Sequence, residues 1–80
     1  MERAQVFAQV AEIFRDVFDN EALEIQESTN SDDIEDWDSL NHINLVVAIE
    51  KQFRIKFSLE ELSGLKDVGA MIDLMMHKLA

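Results

Sequence analysis

Residues 35–53 read EDWDSLNHINLVVAIEKQF, and the fold turns on how this stretch is read. Acids run up to Asp38, a single serine follows, and from Leu40 onward apolar residues recur at helical spacing. Leu45, Ile49 and Phe53 fall at i, i+4 and i+8, a stripe suited to a buried core. Leu40, Ile43 and Val47 follow i, i+3 and i+7 and lie off that stripe. Val46 and Ala48 widen the apolar surface further. A helix from Ser39 to Phe53 thus has more apolar residues than one buried face requires, so some are expected to face water or a partner. Asp38 is the expected N-cap, because its carboxylate can satisfy an amide left unpaired in the first turn. That assignment leaves the hydroxyl of Ser39 without a structural task.

On the N-terminal side, Val6, Val10, Ile13 and Val17 repeat at helical spacing with Phe7, Phe14 and Phe18 beside them. Gln5, Gln9, Glu12, Asp16 and Asp19 take the other face. An amphipathic helix is predicted over residues 3–18, with Asn20 as its stop. Residues 20–37 have no sustained period. They are expected to form a long loop pinned to the helices by Leu23, Ile25 and Ile34, and loops of that length are often functional. Beyond Phe53, SLEEL supplies a capping box, with Ser58 as cap and Glu61 three residues on, for a short helix over Leu59 to Leu62 ending near Gly64. Asp67 should cap a last helix whose Val68, Met71, Ile72, Met75 and Leu79 share one face. His77 and Lys78 suit the negative end of its dipole. The prediction is a single domain over residues 1–80: an all-α, small four-helix bundle with three longer helices, one short helix and a long loop between helices one and two.

An apolar fraction of 48% argues for a folded chain rather than an acidic disordered tail. With no cysteine there is neither a disulfide nor a thiolate zinc site, and no thiol from the chain's own side chains. Charges at Glu2, Arg3, Glu12, Arg15, Asp16 and Asp19 interrupt any signal peptide or membrane span, so a cytoplasmic protein without membrane insertion is expected, as a monomer. The net charge is −10, and no Lys or Arg occurs between Arg15 and Lys51, where eleven acids stand. That field repels phosphate backbones, which argues against nucleic acid, and steers basic protein surfaces towards the chain. It also stores self-repulsion. The melting temperature is expected to rise with added NaCl or a few millimolar divalent cation, and a curve indifferent to both would contradict this.

Self-contained catalysis finds little support. Ser39 and His42 are three positions apart and within reach of one another on a helix, but neither a glycine-rich elbow nor an orienting acid accompanies them. The two histidines are 35 positions apart, giving no zinc spacing. SDDIEDWDSLN fails as a calcium loop in every frame, since Ile34 or Trp37 intrudes and no glycine is present. No metal site and no catalytic residue is assigned.

Taken together, the acidic loop, Asp38-Ser39-Leu40 at the head of an apolar helix, IEKQF at its end, RIKFSLEEL and a final amphipathic helix resemble the acyl carrier protein family over essentially the whole chain. The resemblance implies a non-catalytic carrier. Its Ser39 receives a 4′-phosphopantetheine arm from coenzyme A, with Asp38 and Leu40 as flanking motif residues. A separate phosphopantetheinyl transferase performs the attachment. The arm then holds acyl intermediates as thioesters and presents them to loading and transfer enzymes. An aminoacyl or peptidyl carrier of the same fold, or an unmodified acidic helical adaptor, is the alternative.

Several positions depart from the family's pattern. Trp37 stands where a glycine-containing run is common, Asn44 and Lys51 replace acids, and Phe57-Ser58 replaces a proline turn. These departures point away from housekeeping fatty-acid synthesis and towards a specialised pathway, such as polyketide, modified lipid or surface polysaccharide synthesis. The partner surface is expected at Asp36, Trp37, Leu40, Ile43, Val47 and Glu50. There a small apolar centre with a charged rim has the anatomy of a transient docking site for basic patches.

Overall fold

The computed structural model describes residues 2–79. It contains α1 (Arg3–Val17), α2 (Ser39–Phe53), α3 (Leu59–Ser63) and α4 (Val68–Leu79). No strand occurs among the described residues. The all-α architecture is as expected, with α3 the short element. No helix among the described residues is long and apolar enough to cross a membrane.

Each helix begins where local chemistry satisfies its orphan amides. Glu2 and Gln5 form a capping box for α1 that the sequence reading did not identify. Ser58 and Glu61 form the expected box for α3, with Ser58 N–H donating to Glu61 Oε1 at 2.8 Å. Asp67 Oδ1 accepts the Ala70 amide at 2.8 Å to cap α4. α1 ends one residue earlier than predicted because Asp19 enters the left-handed region at φ 50°. Asn20 then closes the end, its N–H donating to the Arg15 carbonyl at 3.0 Å.

Val6, Val10, Ile13 and Phe14 of α1 meet Leu45, Ile49 and Phe53 of α2 and Val68, Met71, Ile72 and Met75 of α4 in one core. Each such side chain, fully buried, contributes about 1.5–3 kcal/mol. Val46 is buried as well, so the surplus apolar surface of α2 is narrower than the sequence suggested. α3 has no fully buried residue and is held from outside the core. Lys78 Nζ lies 3.0 Å from Glu61 Oε1 and 5.6 Å from the centre of the Phe57 ring.

The long loop is a chain of tight turns. Gln26 N–H donates to Thr29 Oγ1 at 2.8 Å, and Asp32 N–H to Asn30 Oδ1 at 2.8 Å. Ile25 is buried, Leu23 and Ile34 are partly buried on the core, and Arg15 Nε donates to the Leu23 carbonyl at 2.8 Å. The loop in turn starts α4. The carbonyls of Glu27 and Thr29 accept the amides of Gly69 at 2.7 Å and Val68 at 2.9 Å. A Cβ at Gly69 would lie 3.0 Å from the Glu27 carbonyl oxygen, so a larger residue would crowd this junction and glycine suits the close approach.

Arg3 secures the same junction, bonding Glu27 of the loop and, at 2.5 Å, Asp73 of α4. The hydrogen bond from Arg3 holds the Glu27 carboxyl below the usual glutamate range. A carboxylate whose folded-state pKa is lowered adds stability above its unfolded pKa, and that stability is lost as pH falls through the folded value. Wild type is therefore expected to melt above Glu27→Gln at neutral pH. The gap should close as pH drops below about 4.3. Thermal melts of both proteins across pH 7 to 2 check this. The difference is diagnostic rather than either melting point, because protonating other acids relieves repulsion at the same time.

Candidate functional site

The site is the junction of the loop with α2. Asp38 is in extended conformation and its Oδ1 accepts the Asn41 amide at 2.8 Å, as the N-cap expectation required. Asn41 Nδ2 donates back to the Asp36 carbonyl at 2.7 Å. The turn is thereby closed by Asp36, Asp38 and Asn41 without help from Ser39. Ser39 is exposed, and its hydroxyl has no hydrogen-bond partner among the described residues. The amides of Ser39 and Leu40 belong to the first turn and have no intrahelical acceptor. An accessible nucleophilic oxygen thus stands at the positive end of a 15-residue helix.

Leu40, Ile43 and Val47 are 68%, 56% and 41% exposed, whereas Leu45 and Ile49 are fully buried and Phe53 nearly so. The two stripes read from the sequence are therefore separate faces. Asp36 and Asp38 are exposed beside the open stripe. Glu50, expected on the partner surface, is only partly exposed, and its Oε2 accepts the Phe57 amide at 2.8 Å. It fastens the α2–α3 connection that has Phe57-Ser58 in place of a proline turn.

Trp37 requires a correction. Expected on the partner surface, it is 7% exposed and belongs to the core. Its ring meets Phe14 edge-on at 5.2 Å and 86°, with Phe18 at 6.5 Å. An indole at the end of a loop buries more apolar area inward than it could hold on an acidic surface. Its Nε1–H finds an acceptor in His42 Nδ1 at 3.0 Å. The Ser39–His42 contact weighed from spacing is not formed, since His42 turns to the indole.

Beside Ser39 lies a depression of about 600 Å³. Trp37, His42 and Ile43 line one side, and Leu59, Leu62 and Lys66 the other. Leu59, 84% exposed on α3, and Lys66 were not anticipated. Leu59 was readable only as the first residue of a capped helix. Nothing local marks Lys66, whose place depends on how the α3–α4 connection folds back. No group of three or more His, Asp or Glu side chains among the described residues is placed to hold a metal ion.

With this geometry in hand, comparison with known proteins is direct. Residues 8–75 match the family described as a phosphopantetheine attachment site. The acyl carrier protein of Coprothermobacter proteolyticus is 32% identical over 81 residues, covering 99% of this chain and 96% of that protein. The solution structure of a holo acyl carrier protein from Geobacter metallireducens superposes with a TM-score of 0.85 at 44% identity, covering 90% of this chain and 83% of that one. The chain belongs to the phosphopantetheine attachment site family of carrier domains.

Proposed function

We propose that this protein carries acyl intermediates on a 4′-phosphopantetheine arm joined to Ser39. The carrying observation is the exposed, unengaged hydroxyl of Ser39 at the head of α2, with Asp38 taking over the capping task. The residues fit a phosphodiester there. The first-turn amides and the helix dipole favour an anion, and Lys66 supplies a cation across the neighbouring depression. Attachment forms a bond from Ser39 Oγ to the phosphorus of coenzyme A that bears pantetheine. It breaks that phosphorus's bond to the adenosine bisphosphate, which leaves, while the hydroxyl proton passes to a base on the transferase. The arm, once bound, supplies the thiol that a chain without cysteine lacks.

The chain itself presents and steers. Asp36 and Asp38 attract basic patches of a phosphopantetheinyl transferase and of acyl-loading and acyl-transfer enzymes, and Leu40, Ile43 and Val47 provide grip. The carrier works as a monomer in the cytoplasm and has no catalytic residue of its own. Trp37 in place of a glycine-containing run, together with Asn44 and Lys51, supports service in a dedicated pathway. Incubation with coenzyme A, magnesium and a broad-specificity transferase is expected to add one phosphopantetheine to the intact mass. No gain would favour an unmodified acidic adaptor.

A further inference from the structure

We propose that His42 is a positioning residue for Ser39, acting through the indole of Trp37. The inference rests on the reading of Ser39 as the attachment point. Trp37 precedes Ser39 by two residues and His42 follows it by three. The 3.0 Å bond from Trp37 Nε1 to His42 Nδ1 therefore closes a short loop of chain around the serine. The two rings stack at 6.1 Å and 23°. Packing on Phe14 and Phe18 makes Trp37 an anchor in the core. His42 thus ties the first turn of α2 to a side chain packed in the core, while Asn41 ties it only to the loop backbone at Asp36.

The direction of the bond fixes the chemistry. An indole nitrogen only donates, so His42 Nδ1 must be the acceptor and the ring's proton sits on Nε2. A neutral imidazole in that tautomer has no free basic nitrogen to offer Ser39, so His42 is not a base for the hydroxyl. Its role is to accept the indole N–H, the one side-chain hydrogen bond that Trp37 makes among the described residues, and so to hold the first turn of α2 against the core. Without that bond the first turn of α2 loses its side-chain tie to the core-packed indole, and Ser39 is held less closely in place. An error of about 1 Å in a reacting oxygen can lower a rate by around a hundredfold.

His42→Leu retains bulk and removes the acceptor, whereas His42→Asn restores an acceptor oxygen close to the Nδ1 position. With transferase and coenzyme A, His42→Leu is expected to lower kcat roughly tenfold. KM for the carrier should change little, because Ile43 and Val47 are untouched, and His42→Asn should recover most of the loss. A readout independent of modification is the exchange of the single tryptophan's indole N–H in ¹H–¹⁵N spectra. It should be slow in wild type and His42→Asn, and fast in His42→Leu.

Trp37→Phe removes the donor and keeps a ring, so it should match His42→Leu, and the double variant should lose no more than either single one. If His42→Leu does not fold, Trp37→Phe alone carries the comparison with wild type. Wild-type kcat in either variant overturns the inference and leaves Ser39 as the attachment point, as do additive losses in the double variant. Failure of wild type to gain any adduct overturns both readings together.

Discussion

Ser39→Ala is expected to fold like wild type and to gain no mass with coenzyme A and transferase. The fold loses nothing with the hydroxyl, because Asp38 holds the Asn41 amide and Ser39 Oγ holds no group among the described residues. Alanine is also the better helix former, so the stability change should stay within about 0.5 kcal/mol. Asp38→Ala is the contrasting change. It removes the cap, costs about 1 kcal/mol and also alters the motif. The other serines make a sharp test. Ser58 caps α3 and Ser63 donates to the carbonyls of Leu59 and Glu60, so their hydroxyls are engaged. Ser28 is exposed in the loop, and Ser31 lines the same depression as Ser39 without standing at a helix start. An adduct mapped by peptide mass spectrometry to Ser31, or to any serine but Ser39, would defeat the assignment.

What the sequence made legible was whatever depends on short spacing. The separation of Leu45, Ile49 and Phe53 from Leu40, Ile43 and Val47 follows from helical period alone, and burial divides them the same way. The caps at Asp38, Ser58 and Asp67 are likewise local chemistry, each satisfied by an amide three residues on. What stayed hidden depends on contacts across the chain. Trp37 sits in an acidic run and reads as surface, yet Phe14 and Phe18, far off in sequence, offer it a better environment. Lys66 and Leu59 line the Ser39 depression only because the chain after Phe53 returns beside the head of α2. Arg3 meets Glu27 and Asp73 through the packing of α1, loop and α4, a junction no local pattern announces.

Ile49→Ala and Ile43→Ala are expected to part company, and the size of the gap decides whether the open face of α2 is for docking. Ile49 is fully buried, so truncation should cost about 2–5 kcal/mol in transfer energy and residual cavity. Small domains hold about 5–15 kcal/mol in all. At about 4–8 °C per kcal/mol, the melting temperature should fall by upwards of roughly 10 °C. Ile43 is 56% exposed on the same helix. Its truncation forfeits little burial and gains a few tenths of a kcal/mol in helix propensity, so unfolding should shift by no more than about 0.5 kcal/mol. Function should move in the opposite order. An apolar anchor within an acid-rimmed patch is worth about 2 kcal/mol or more when it is a hot spot, which is roughly thirtyfold in kcat/KM for transferase or acyl transfer. Ile49→Ala, assayed well below its own melting point, should be modified at close to the wild-type rate. Denaturant unfolding and transferase kinetics on both variants measure the two axes independently. Should Ile43→Ala unfold as readily as Ile49→Ala, or be modified at the wild-type rate, the open stripe of Leu40, Ile43 and Val47 is not where partners dock.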